Sequence, residues 1–173
     1  MKPRSPRGNL LIDTPIALFL FLFVFMFPFL DLATVTLRTT FLYAAAHNAA
    51  WESARGHTFQ SSLDNMPSAI QLATSSAQRT ASSFGGITIN SVQTRIVATD
   101  LQSLSQTRSS APLTVPADAS RNSYQVEVSV NGNVNPLVLY QFPFFGSVPG
   151  LTKPMNLTFT DRQFCENPQG LNK

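Results

Sequence analysis

The sequence predicts an α+β protein: a long N-terminal transmembrane and extended helix, a second helix, and a small antiparallel β-sheet. Three observations predict it. Residues 14–30 run without a charge. An alanine-rich stretch of helical composition follows, as far as Gly56. Beyond it, segments that alternate apolar and polar residues recur between turn-forming stretches, as half-buried strands do. At 173 residues the chain holds one modest domain. Much of its 43% hydrophobic content lies in residues 14–37. The remainder is left with a small core, and small cores are marginal.

The net charge of +3 comes from the first eight residues, which hold Lys2, Arg4 and Arg7. From Asn9 onward nine basic residues face nine acidic ones. No basic stripe remains to follow a phosphate backbone, so the composition argues against nucleic acid. The leader has the character of a topogenic signal instead. With three basic residues before the apolar run and Arg38 alone soon after it, the positive-inside rule places the N-terminus in the cytoplasm and exports the rest.

Residues 14–30 would make a helix about 25 Å long, a little short of a ~30 Å hydrocarbon core. Carried to Leu37 the segment spans with residues to spare, and Asp31 falls near the outer interface. Phe stands at every odd position from 19 to 29, a strand-like period of two. Length and uniform apolarity favour a helix, because a lone strand in lipid leaves its backbone unsatisfied. A cleaved secretory signal is the competing reading, but its apolar region is shorter, and the best small-x-small site, Ala44-x-Ala46, lies well past the run. Pro28 removes a backbone donor and predicts a kink.

Beyond the membrane the helix is expected to continue to about Phe59, with Gly56 as a stop. Ala44, Ala45, Ala46, Ala49 and Ala50 keep it narrow, which suits close packing against a filament or platform partner. Asp64 or Asn65 before Pro67 reads as the start of a second helix carrying Ile70, Leu72, Ala73, Ala77 and Phe84, ended by Gly85-Gly86. Ile87 to Val97 reads as a strand. Residues 99–122 read as a long exposed connection. Tyr124, Val126, Val128 and Val130 share one face of the clearest strand, and Asn131-Gly132 reads as a turn after it. Met155 to Thr160 forms a last strand. The Pro- and aromatic-rich residues 135–154 read as a loop laid on the domain or on a membrane surface. Its apolar part, residues 137–145, either covers the sheet's own core or docks a partner or the outer leaflet. Sheet edges in so small a domain invite a partner.

No catalytic constellation is visible. His47 and His57 lack companions at ligand spacing, so neither a metal nor another cofactor is expected. Cys165 is the single cysteine, which excludes an intrachain disulfide. Asn156-Leu157-Thr158 fits a glycosylation triplet, a pattern that arises often by chance.

One motif remains. In Arg7-Gly8-Asn9-Leu10-Leu11-Ile12-Asp13 a glycine ends a short basic leader, an acid stands at the fifth position after it, and the apolar helix follows. This resembles the cleavage and assembly motif of type IV pilins. With the Ala-rich helix past the membrane, residues 1–58 look most like the TadE/TadG-like pilin-like proteins of tight-adherence systems. The resemblance implies cleavage between Gly8 and Asn9 by a prepilin peptidase. It also implies that Asp13 pairs with an N-terminal amine, its own or a neighbour's, during assembly. Such a carboxylate at the membrane edge is costly unless paired, and in the first turn it suits the helix dipole. The usual acid there is Glu, and the aromatic residue that often follows it is replaced by Thr14, with Pro15 next. These departures fit a minor pilin or pseudopilin better than a major filament subunit. The implied organisation is a leader over 1–8, a membrane and exported helix over 9–58, and an extracytoplasmic α+β domain over 59–173. The implied partners are other pilins, the assembly platform and its ATPase machinery, and membrane lipid, in a hetero- or homo-oligomer. A permanently anchored binding or scaffold domain, never cleaved after Gly8, is the alternative.

Overall fold

A computed structural model describes residues 10–139 and 146–173, with side chains from Thr14 onward. Its architecture is α+β. Helix α1 (Leu10–Phe21), a π-helical turn (Leu22–Met26) and helix α2 (Phe27–Ser53) form one unbroken helix. After it come α3 (Ala69–Ser82) and four strands, β1 (Ile87–Asp100), β2 (Gln106–Ser109), β3 (Asn122–Val134) and β4 (Met155–Phe164). A 3-10 turn, Pro168–Asn172, closes the chain.

The helix over Thr14–Ser53 is long and apolar enough to cross a membrane, and its apolar window is almost wholly uncovered by the rest of the protein. Pro28 is absorbed by the wide turn just before it. There the Phe27 amide donates to the Leu22 carbonyl, five residues back. A π-turn re-spaces the ladder where proline withholds a donor. Phenylalanines four apart meet on the helix surface, with ring centroids 4.3 Å apart for Phe19 and Phe23 and 5.2 Å for Phe23 and Phe27.

The upper half of α2 is the central core element of the domain. Val35, Leu42, Ala45, Ala46, Ala49, Ala50 and Ser53 recur at helical spacing and are buried. Ala46, Ala49 and Ala50 share a core with Ala69, Ala73 and Ala77 of α3. The alanines therefore do what the sequence suggested, permitting close packing, but against the chain's own second helix and sheet. The helix ends at Ser53, and Gly56 lies beyond it. At Gly56 the chain passes so close to α3 that a Cβ would sit 2.8 Å from the Ala69 amide nitrogen.

Helix α3 is capped by Ser68, not by Asp64 or Asn65. Its hydroxyl accepts from the Gln71 amide while the Gln71 side chain accepts from the Ser68 amide, a reciprocal capping box. Asp64 and Asn65 take left-handed backbone conformations instead, in a turn where Leu63 and Met66 exchange both backbone bonds. Short polar side chains tolerate that region best.

The sheet is antiparallel in the order β2-β1-β3-β4. Tyr124, Val126, Val128 and Val130 face the helices, as the alternation predicts, and are buried. Asn131-Gly132 is not a turn. Strand β3 runs through it to Val134, opposite a bulge between Ile89 and Ser91. Gly132 is there for close approach: a Cβ would lie 2.9 Å from Leu42 Cδ1. The stretch 99–122 is not wholly a connection either, since β2 pairs with the distal end of β1. The other face of the sheet is polar, with linked side chains of Asn90, Asn131, Asn133 and Asn156. Asn156 of the glycosylation triplet is thus a member of a strand and of this amide ladder.

At the distal end, the Phe59 and Gln60 amides donate to the carbonyl of the C-terminal Lys173, 2.9 and 3.0 Å away. A Cβ on Gly170 would fall 1.9 Å from the His57 carbonyl oxygen, a backbone atom that cannot swing aside. Gly170→Ala is expected to destabilise the domain by about 1–3 kcal/mol, the usual range for overpacking. Urea unfolding read by the single tryptophan, Trp51, checks it.

Candidate functional site

Two polar side chains, Asp31 and Arg38, mark the place where the apolar helix enters the domain. Asp31 comes first. Its carboxyl is 1% exposed, although it stands on a helix that is otherwise open at that level. The described limbs of the loop 135–154 lie beside it. The Val138 amide donates to Asp31 Oδ1 at 2.9 Å. Asp31 Oδ2 is buried with no hydrogen-bond partner among the described residues. One turn higher the loop returns, so that Gly150 lies against Val35. The sequence reading puts Asp31 near the outer interface, where a carboxylate is tolerable. The fold roofs it, and a carboxyl on an apolar helix is costly unless it is paired or shielded.

Arg38 is the second group. Its Nε donates to the Gly85 carbonyl at 2.9 Å and its Nη1 to the Asn135 carbonyl at 2.6 Å. The Asn135 amide in turn donates to the Gly86 carbonyl, so helix, glycine turn and loop form one bracket. Gly86 sits at φ +86°, and a Cβ there would collide with the guanidinium. The second helix ends at Ser82, before Phe84 and the glycine pair, and Gly86 makes room for Arg38. Phe41 stacks on Phe84 beside the bracket, with centroids 4.5 Å apart.

Higher on the domain, His47 Nδ1 lies 2.8 Å from Asp161 Oδ2, an exposed pair joining α2 to β4. Among the described residues no group of three His, Cys, Asp or Glu is placed to hold a metal ion. On the outer face of the sheet the buried Glu127 carboxylate meets Arg162 at 2.6 Å and Arg108 at 3.7 Å. Neither of these clusters was legible as a site in the sequence, since their members lie far apart along it. Burial pushes the Cys165 thiol above its ordinary pKa, which favours the less reactive protonated form.

Gly8 and Asn9 lie outside the described residues, as does the aromatic run 140–145. Asp13 is in the first turns of α1, but its side chain is outside the description. Among the described residues of the loop, Leu137, Val138 and Leu139 are exposed, while Gly150 lies against the core residue Val35. No protein-family model, curated protein or solved structure matches the chain.

Proposed function

We propose that this chain is a pilin-like assembly subunit, a minor pilin or pseudopilin of a tight-adherence type IV pilus or a related secretion system. The observation that carries the reading is the order of parts at the N-terminus: basic leader, Gly8, an acid five residues later, and an apolar helix. The unbroken course of that helix into the core of the domain supports it. A prepilin peptidase on the cytoplasmic side removes residues 1–8. The freed amine of Asn9 then lies about one helical turn from Asp13. The domain is held outside the cytoplasm until the assembly machinery extracts the helix from lipid.

The test is the mass and N-terminal residue of the protein made in its own host. A mature chain starting at Asn9, replaced by the full-length chain in Gly8→Ala, is the expected result. A wild-type chain that keeps its leader overturns the reading.

One observation favours a permanently anchored binding or scaffold domain instead. Ala45, Ala46, Ala49 and Ala50 are fully buried within the chain's own fold. They are not free to pack against the helices of neighbouring subunits. The two readings separate on the same measurement.

A further inference from the structure

The loop 135–154 is the largest feature of the domain that the assembly reading does not use. We infer that its two described limbs, 135–139 and 146–154, lie in the membrane leaflet on the domain's side, with Leu137, Leu139 and Val148 against acyl chains. The inference requires only that the helix spans a membrane. It holds for a cleaved and an uncleaved chain alike, so its failure and that of the assembly reading are separate results.

Level is the first argument. The loop touches the helix at Asp31 and Val35. From Leu10 to Asp31 the helix rises about 33 Å, just over the ~30 Å hydrocarbon thickness. On the uncovered side of the same turns Leu30, Leu32 and Leu37 remain exposed. From Leu10 to Leu37 is about 42 Å, the thickness of a bilayer with its headgroup regions. Lipid that reaches these leucines reaches the loop beside them.

Composition is the second. Between Asn135 and Thr160 the only ionisable groups are the Tyr140 phenol and the Lys153 amine, with no acid. Leu137, Leu139 and Val148 are 56%, 57% and 40% exposed. An exposed lysine beside apolar residues suits the headgroup level, where its amine reaches phosphates and its stem stays in the apolar zone.

Backbone accounting is the third. Irregular chain near lipid must satisfy its amides within the protein. Here the Val138 amide donates to Asp31, and the Val148 amide to Thr152 Oγ1 at 2.7 Å. The Leu151 and Thr152 amides donate to the Val148 carbonyl, and the Gly150 amide to the Lys153 carbonyl. These five amides are thus satisfied within the protein, while the side chains of Leu137, Leu139 and Val148 stay exposed. The loop also roofs the Asp31 carboxyl, which would otherwise meet acyl chains.

The test uses the full chain with Cys165→Ser, reconstituted at low protein density into phosphatidylcholine–phosphatidylglycerol vesicles. A single cysteine at Leu139, Val148 or the exposed distal Leu104 carries an environment-sensitive fluorophore. All three positions are at the surface, so folding is retained, and Trp51 unfolding curves verify it. A doxyl group placed high on the lipid acyl chain is expected to quench the labels at 139 and 148 several-fold more than the label at 104. Aqueous iodide should give the reverse order. Iodide quenching at 139 and 148 equal to that at 104 would overturn the inference. So would protection from both quenchers, which would mean that a second copy of the chain covers the loop.

Discussion

Leu42→Ala is expected to cost the domain about 2–5 kcal/mol, the range for deleting a fully buried leucine side chain. Leu42 is 0% exposed and belongs to the helix that also carries the membrane segment. It fills the gap that Gly132 leaves in β3. Its loss opens a cavity at the centre of a small core, whose whole stability is of the order of 5–15 kcal/mol. Leu37→Ala is the comparison. Leu37 lies on the same helix but is exposed, so domain stability should change by under about 0.5 kcal/mol. Urea unfolding of the full chain in detergent, followed at Trp51, measures both. A second substitution sharpens the test. Gly132 is not in a left-handed conformation, so alanine is allowed there by the backbone but crowds Leu42 Cδ1 and the Thr88 carbonyl oxygen. Gly132→Ala should destabilise the wild type and cost less in the Leu42→Ala background, where its methyl enters the cavity. Equal costs in the two backgrounds would show that the pair does not share a space.

The same pair shows where the sequence could be read and where it could not. The valines of β3 announce a strand because a period of two needs only local information. Asn131-Gly132 carries the same two residues whether the glycine turns the chain or lets a helix come close. Only the position of Leu42, far off in sequence, decides between them. Ser68-x-x-Gln71 is a capping box visible in the letters, yet Asp64 and Asn65 are equally good capping types and stand just before Pro67. Strand β2, Gln106-Thr107-Arg108-Ser109, has no apolar residue and is an edge strand whose backbone pairs with β1. No periodicity could reveal it. The alanines of α2 signalled close packing but not the partner, since the same small residues serve an intramolecular and an intermolecular contact. Asp31 was conspicuous as a charge in an apolar run. Its roof comes from Val138, more than a hundred residues away, and such a contact exists only in the fold.

Arg38 is where this distinction has its largest consequence for the junction. As a letter it is one cation after a membrane segment. In the fold it holds the helix to two other segments at once, through the Gly85 and Asn135 carbonyls. Arg38→Ala leaves both acceptors without their charged donor. Hydrogen bonds to charged groups contribute about 1.5–3 kcal/mol each, and water can reach this half-exposed site. The expected loss is therefore about 2 kcal/mol, below the sum of two such bonds. Arg38→Lys should recover less than half of it, because one ammonium group cannot reproduce a fork that serves two separated carbonyls. Hydrogen exchange locates the effect. The Asn135 amide, bonded to the Gly86 carbonyl, should exchange faster in both variants, while the β3 amides at Val126 and Val128 stay protected. Uniform acceleration across β3 would mean that Arg38 supports the whole core. A local effect would mean that it couples the apolar helix to the loop.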